Sequence, residues 1–185
     1  QGIWSVDGKT YASASSSPLW VFALSPFYLV FGAKLFIGIP FALNILFQIF
    51  TISLIFRLVK IYCNKDIHFL FGIILILLVP FISLSLGGME HSLQILLVVC
   101  LISTFLSYID KPESRTIKVK LLLLVPFVTF VRYEDLALVV SMAIIILFYF
   151  KNWRLSFGLI ISSLTLIVAF GLWTKFVLDL GFIPS

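Results

Sequence analysis

Charged residues are scarce in this chain of 185 residues: Asp, Glu, Lys and Arg make up 11% of it, whereas about 25% is usual in a soluble domain. Apolar residues make up 62%, and 20 of them are Phe. A soluble domain of this size buries only about 70% of its unfolded surface, so it could not cover so many apolar side chains. The composition therefore excludes soluble enzymes, secreted disulfide scaffolds, disordered tails and nucleic-acid-binding modules, and it predicts an all-α membrane protein.

Several catalytic and metal-binding motifs are also missing. Cys63 and Cys100 lie in unlike settings and offer neither a disulfide framework nor a CxxC metal site. The sequence contains no phosphate-cradling glycine loop and no nucleophile elbow. Residues 1–17 are polar, do not resemble a signal peptide and do not begin with Met, so we expect the chain to be an internal piece of a longer protein.

Long apolar runs dominate what is present. A helix that crosses a hydrocarbon core of ~30 Å needs about 20 mostly apolar residues. Residues 18–37 form an apolar stretch that is interrupted by Pro26, Gly32 and Lys34, and we expect an amphipathic, partly bent helix there, lying in the membrane interface. Six further segments predict transmembrane helices: 40–61, 68–86, 92–109, 117–131, 133–150 and 155–177.

The basic residues divide unequally between the two sides that these spans define. One side holds nine of the 13 Lys and Arg residues. These nine are Arg57, Lys60, Lys65, Lys111, Arg115, Lys118, Lys120, Lys151 and Arg154. Because basic loops stay in the cytoplasm, the split predicts a multi-pass protein of the inner (plasma) membrane. Residues 1–17 and the turns 87–91 and 132–135 then lie outside, while the charges do not decide whether residues 18–37 cross.

Two spacings predict contacts between helices. Asn44, Gln48 and Thr51 follow one another at i, i+4 and i+7, so they form a polar stripe on an otherwise lipid-like helix. Gly158 and Ser162 form a pair of small residues on the last helix. We interpret both patterns as helix packing.

Ionisable residues near the outer turns are the candidate functional residues, since such a group at membrane depth costs several kcal/mol unless it is paired or hydrated. Segment 117–131 spans only ~22 Å, so the turn that follows it should lie below the membrane surface. Two interpretations stay open for this turn. Arg132 forms an internal ion pair with Glu134 or Glu90, or it lines an outward-facing site and binds a phosphate through its bidentate fork. Glu90 would then orient an acceptor or hold a divalent ion.

Four short motifs carry a resemblance to a known family. They are SPLW at residues 17–20, GMEHSL at 88–93, RYED at 132–135 and GFIPS at 181–185. In this order they resemble SPLW, GMExxL, RPEG and the start of G…LPNT in bacterial polytopic glycosyltransferases of the C fold class. These enzymes, which include protein O-mannosyltransferases and aminoarabinose transferases, take a sugar from a polyprenyl-phosphate carrier. The RYED turn departs from the family pattern, because it has Tyr for Pro and Asp for Gly.

The resemblance implies an organisation and a reaction. Residues 1–17 would be the remnant of the first outer loop, 18–37 an interfacial helix, and 38–185 a bundle of about six transmembrane helices. A sugar would pass from the polyprenyl-phosphate carrier to an acceptor hydroxyl, with inversion, at the outer face of the membrane. The family's catalytic Asp would precede residue 1, so this piece alone would be inactive.

The resemblance also implies roles for single residues. Glu90 and His91 would take part in catalysis, and Arg132, Glu134, Asp135, Ser17 and Trp20 would bind the substrate. A divalent metal ion, if the reaction uses one, would bind at Glu90. Two other functional classes stay open, a transporter or flippase module and a non-catalytic assembly subunit. The sequence shows no internal repeat, which disfavours the transporter.

Overall fold

The structure is a computed structural model that describes residues 17–36, 38–62 and 90–177. These residues form six α-helices and one 3-10 turn, Tyr133–Asp135, and no strand, which confirms the all-α prediction for this part of the chain. The helices are α1 (Pro18–Phe36), α2 (Gly38–Tyr62), α3 (His91–Asp110), α4 (Arg115–Val131), α5 (Leu136–Phe148) and α6 (Trp153–Val177). The predicted span 68–86, residues 1–16 and the GFIPS motif lie outside the described residues.

Three of the helices are long and apolar enough to cross a membrane. The suitable stretches are Gly38–Ile61, His91–Asp110 and Trp153–Phe176, of 24, 20 and 24 residues. The other two predicted spans within the described residues are shorter: α4 has 17 residues, three of them basic and all in its first six positions, and α5 has 13. The fold is thus that of a helical protein with three helices of membrane length.

The structure shortens the predicted span 133–150 at both ends. Arg132 is extended, with φ −146° and ψ 129°, so α4 ends before it and a 3-10 turn precedes α5. At the other end, Lys151 has φ 52°, a left-handed conformation that an α-helix cannot continue through. Helix α5 therefore stops at Phe148, and the chain turns into α6.

Helix α4 lies at the centre of the described bundle. The core that it shares with α3, α5 and α6 consists of large aliphatic and aromatic side chains. These are Leu101, Phe105, Tyr108, Leu121, Val125, Val128, Val139, Met142, Ile146, Leu155 and Leu159. Because α4 carries lysines at its start and is followed by Arg132, packing in this core fixes the position of charged groups at both ends of the bundle.

The contact between α4 and α6 depends on the predicted pair of small residues. A Cβ added at Gly158 would lie 3.2 Å from Cδ2 of Leu122, so the helices approach closely there. Ser162 donates a 2.6 Å hydrogen bond to the backbone oxygen of Leu122. That carbonyl is the one that Pro126 leaves without its usual helical donor, since proline has no N–H. Gly158 therefore permits the close contact of α6 with α4, and Ser162 supplies the hydrogen-bond donor that the Leu122 carbonyl lacks within α4. Both observations confirm the packing interpretation.

The polar stripe of α2 also faces another helix. Asn44, Gln48 and Thr51 are all buried. Gln48 Nε2 donates to Ser92 Oγ of α3 at 3.2 Å, while the Thr51 hydroxyl donates to its own helix at Phe47 O. The amide of Asn44 has no hydrogen-bond partner within the described residues. The stripe is a packing surface, as predicted.

Helix α1 differs from the bent, amphipathic helix that we predicted. It continues through Pro26 because Ser25 Oγ donates a 3.1 Å hydrogen bond to Phe22 O, the carbonyl that Pro26 cannot reach with an N–H. Its exposed side carries Leu29 and Val30 rather than a polar face, so the amphipathic part of the prediction is wrong.

Candidate functional site

The turn after α4 and the first turn of α3 meet at one end of the bundle. We call the residues involved, Glu90, His91, Gln94, Arg132, Glu134 and Asp135, the Arg132 cluster. Its position follows from helix packing, since α3 begins and α4 ends at this end. The structure therefore brings together five of the seven residues that the sequence singled out, and adds Gln94.

Arg132 pairs with Glu134 through two parallel contacts. Its Nε lies 2.7 Å from Oε2 of the carboxylate, and its Nη2 donates to Oε1 at 3.1 Å. The Arg132 side chain is 26% exposed and that of Glu134 is 72% exposed. Of the two internal ion pairs that the sequence left open, the structure contains the one with Glu134. The hydrogen bond and the charge of Glu134 also raise the pKa of Arg132.

The second nitrogen edge of Arg132 faces α3. Its Nη1 lies 3.3 Å from Nδ1 of His91. This nitrogen of His91 accepts a hydrogen bond only in the tautomer that carries the proton on Nε2. The contact therefore joins α3 to the end of α4 and turns the Nε2–H of His91 away from Arg132.

Asp135 is held by a residue that sequence reasoning missed. Gln94 Nε2 lies 3.0 Å from Oδ1 and 3.1 Å from Oδ2 of Asp135. Burial raises the pKa of the Asp135 carboxyl, while the bond from Gln94 and the charge of Arg132 act in the opposite direction. The signal in the sequence was an amide one turn after Glu90 in an otherwise apolar run, at helical spacing.

Glu90 is buried, with 5% of its surface exposed, at the position just before α3. Its backbone oxygen accepts a hydrogen bond from the N–H of Gln94 at 2.9 Å, which starts the helix. Its charge acts on Arg132 together with those of Glu134 and Asp135. Three carboxylates thus act electrostatically on one guanidinium, and the cluster is acidic overall when all four groups are ionised.

Ser17 and Trp20 have a different local role. Ser17 Oγ accepts a 3.4 Å hydrogen bond from the N–H of Trp20, so it caps the start of α1. The Trp20 ring packs edge-on against Phe47 of α2, with ring centres 6.3 Å apart. Helix α1 reaches the Arg132 end through Phe22, which stacks on Phe130 at 6.4 Å. The SPLW motif therefore packs on α2 through Trp20, and the contact of α1 with the end of α4 comes from Phe22, which follows the motif.

The arrangement offers a bidentate cation, an imidazole and several carboxylates within one polar cluster, which suits binding of a charged polar group. Within residues 17–36, 38–62 and 90–177, no three His, Cys, Asp or Glu side chains lie close enough together to hold a metal ion. The predicted role of Glu90 in metal binding thus gains no support from its described neighbours. Comparison of the chain with protein-family models, with curated proteins and with solved structures gives no significant match.

Proposed function

We propose that this chain is part of a membrane glycosyltransferase that moves a sugar from a polyprenyl-phosphate carrier to an acceptor hydroxyl at the outer face of the membrane. The resemblance of the SPLW, GMEHSL and RYED motifs supports the reaction class. The observation that supports the proposal is the set of contacts made by the Arg132 guanidinium. This guanidinium lies among the residues of two such motifs, and its partner is a carboxylate exposed enough to be displaced.

In this proposal Glu134 occupies the place that the carrier phosphate takes. A carboxylate and a phosphate present the same pair of oxygens to the Nε–Nη2 edge of an arginine. Because Glu134 is largely exposed, releasing it into water costs about 1 kcal/mol or less. The incoming phosphate restores the two charge-assisted hydrogen bonds, and the departing carboxylate no longer repels it.

The residues at the start of α3 act on the acceptor. The acceptor oxygen attacks the anomeric carbon, the bond from that carbon to the phosphate oxygen breaks, and the electron pair leaves on the phosphate. Arg132 then faces more negative charge than before the attack, which is the condition for stabilising the transition state. Glu90 and the Nε2–H of His91 position the acceptor. The acceptor proton passes to the carboxylate base that the family supplies from its first outer loop.

The proposed membrane arrangement has about six transmembrane helices and one interfacial helix, α1, in the inner membrane. Residues 110–116 and 151–154 face the cytoplasm, and the Arg132 cluster faces outward. Cysteine labelling tests the two sides. In a Cys-free background, a cysteine at Ser114 should resist a membrane-impermeant maleimide in intact cells, whereas labelling of position 114 in intact cells would refute the arrangement.

Variants of Arg132, introduced at the native locus so that all flanking sequence is present, test the reaction. Arg132→Ala should lower transfer from a polyprenyl-phosphate sugar by about 100-fold, and Arg132→Lys, which keeps the charge but loses the fork, by about tenfold. Arg115→Ala and Arg115→Lys are the matched controls, since Arg115 is exposed at the other end of α4. Glu134→Gln should keep or improve donor binding, because it removes the competing anion.

One observation favours a non-catalytic assembly subunit as the second candidate. The Arg132 cluster is internally satisfied by the Glu134 pair and the Gln94–Asp135 bond, as a purely structural lock would be. The two functions predict opposite results for Arg132→Ala. Loss of transfer with an unchanged unfolding temperature supports the enzyme, whereas normal transfer with loss of a co-purifying partner supports the subunit.

A further inference from the structure

A polar cavity of about 440 Å³ lies at the end of the bundle opposite to the Arg132 cluster, where α2 and α3 end and α4 begins. Three cations line it, Arg57, Lys111 and Lys120, together with one carboxylate, Asp110. We call it the basic cavity. In the described part of the chain, none of the three cations forms an ion pair. The nearby pair of Lys118 with Glu113, at 3.8 Å, uses other groups. The basic cavity therefore has an excess of positive charge.

A second cavity, also about 440 Å³, adjoins the first on the surface between α2 and α3. Leu54 and Arg57 line both cavities, so the two are adjacent. The second cavity, which we call the apolar lane, is lined mainly by Phe50, Leu54, Leu96 and Cys100. Since Phe50 precedes Arg57 by two helical turns, the lane extends about 10 Å along α2 away from the charges.

Two of the three hydroxyl groups at the basic cavity, those of Thr104 and Ser107, bond within α3. Thr104 donates to Cys100 O at 2.8 Å, and Ser107 donates to Ser103 O at 2.9 Å. Their protons are therefore used within α3, and the cations supply the N–H donors that face the cavity. A phosphate oxygen, which only accepts hydrogen bonds, fits this set of donors.

We propose that the two cavities together bind one anionic phospholipid, with its phosphate headgroup in the basic cavity and an acyl chain in the apolar lane. A cationic or neutral headgroup gains nothing from three unpaired cations, and a free anion leaves the apolar lane empty. Basic pockets between transmembrane helices are a known kind of headgroup site. This site is separate from the Arg132 cluster, and it requires no glycosyl transfer.

Lipid binding to the purified full chain in detergent tests the proposal, with native mass spectrometry as the readout and phosphatidylglycerol and phosphatidylcholine as the probes. Phosphatidylglycerol should bind at least about tenfold more tightly, because each nearby cation strengthens anionic lipid binding several-fold. The triple variant Arg57→Gln, Lys111→Gln and Lys120→Gln should lose that preference. The matched control, Lys60→Gln, Arg115→Gln and Lys118→Gln, removes the same charge at the same end outside the cavity, and it should stay within about twofold of the unchanged protein.

Two further measurements distinguish binding of a lipid from binding of a free anion. Ser53→Trp fills the apolar lane without changing charge, and should weaken phosphatidylglycerol severalfold while leaving binding of soluble glycerol phosphate unchanged. Since Ser53, Arg57, Lys111 and Lys120 are all exposed, these variants should fold, and an unchanged unfolding temperature without lipid checks this. Equal losses in the two triple variants, or displacement of the lipid by an equal concentration of inorganic phosphate, would overturn the proposal.

Discussion

The two ends of the described bundle handle charge in opposite ways. In the Arg132 cluster, one guanidinium is matched by carboxylates, and the polar groups bond to one another across α3 and α4. In the basic cavity, three cations face a shared space with one carboxylate and do not pair in the described structure. The first end is thus organised by its own contacts, whereas the cations at the second face the basic cavity without an ion pair among the described residues.

The contrast shows how the same residue types acquire different roles in one short helix. The lysines of the first turns of α4 follow an exposed loop, so water screens them and no partner is needed for folding. Arg132, at the other end of α4, is three-quarters covered and pairs with Glu134. Burial, rather than charge alone, decides which end is bonded internally and which is open to a ligand.

The largest effect is expected from a change that disturbs both ends at once through α4. Gly158→Leu forces extra carbons against Leu122, where even a Cβ is 3.2 Å from the neighbouring methyl group, and should lower the free energy of unfolding by about 2 kcal/mol or more. Gly158→Ala should be nearly neutral, because a flexible methyl group can shift. Gly38→Leu is the control, since nothing lies within 4 Å of a Cβ there. Thermal unfolding in detergent measures all three, and equal losses at Gly38 and Gly158 would contradict the close packing.

A slightly smaller loss of folding stability is expected when the Leu122 carbonyl of α4 loses its hydrogen bond from Ser162. Ser162→Ala leaves the backbone oxygen of Leu122 without a partner, which should cost about 1 to 3 kcal/mol. Restoring a backbone N–H with Pro126→Ala should recover much of that loss in the double variant. Ser141→Ala, at an exposed hydroxyl that bonds only within α5, should change the stability by about 0.5 kcal/mol or less. Additive losses for the two changes would show that Ser162 does not act through Pro126.

The third effect concerns the Arg132 cluster alone. Gln94→Leu removes both hydrogen bonds to the half-buried Asp135 carboxylate, and should cost about 1 to 2 kcal/mol. In a double-mutant cycle with Asp135→Ala, the two changes should couple, because each removes the same contact. Chemical unfolding measures the coupling free energy. A value near zero would mean that the polar groups of the Arg132 cluster do not stabilise one another, so that the two ends of the bundle would not differ in this respect.

The smallest effect is a pH dependence that only the cluster should show. A carboxyl whose pKa is raised by folding binds its proton more tightly in the folded state, so its stabilising effect is full below the unfolded pKa and falls as the pH rises through the folded pKa. Burial raises the pKa of Asp135. As the pH rises above the unfolded carboxyl pKa of about 4, the native chain should therefore lose stability relative to Asp135→Asn. Gln94→Leu should make the loss of stability with rising pH steeper, because the hydrogen bond that lowers the pKa of Asp135 is lost. An equal change of stability with pH in the native chain and in Gln94→Leu would contradict this prediction.

Much of the helical framework could be predicted from the sequence, because apolar runs report membrane-length helices directly. The predicted segments 40–61, 92–109, 117–131 and 155–177 each agree with a helix to within two residues at either end. Segment 133–150 was less well predicted, since the extended backbone of Arg132, the 3-10 turn at Tyr133–Asp135 and the turn at Lys151 limit helix α5. Hydropathy does not reveal such turns.

The sequence was sufficient to predict which residues form the candidate site, but not which of their side chains form ion pairs or hydrogen bonds with one another. The positions of Glu90, His91 and the RYED turn follow from two adjacent hairpin ends. The choice of Glu134 as the partner of Arg132, and of Gln94 as the partner of Asp135, depends on ångström-scale packing of α3 against α4. The basic cavity was missed because its cations come from three separate helix ends and were interpreted only as topology signals.

The lengths of α4 and α5 have a further consequence for the surrounding lipid. At 1.5 Å per residue, helices of 17 and 13 residues reach only ~26 and ~20 Å, short of a hydrocarbon core of ~30 Å. In the proposed six-span arrangement, the bilayer must compress around this hairpin to cover it, at an elastic cost that grows with the mismatch. Headgroups beside the hairpin then lie nearer to the Arg132 turn, where, under the proposed function, the carrier phosphate would meet the guanidinium. Bilayers of short acyl chains need the least compression, so under the same proposal transfer should be fastest in them.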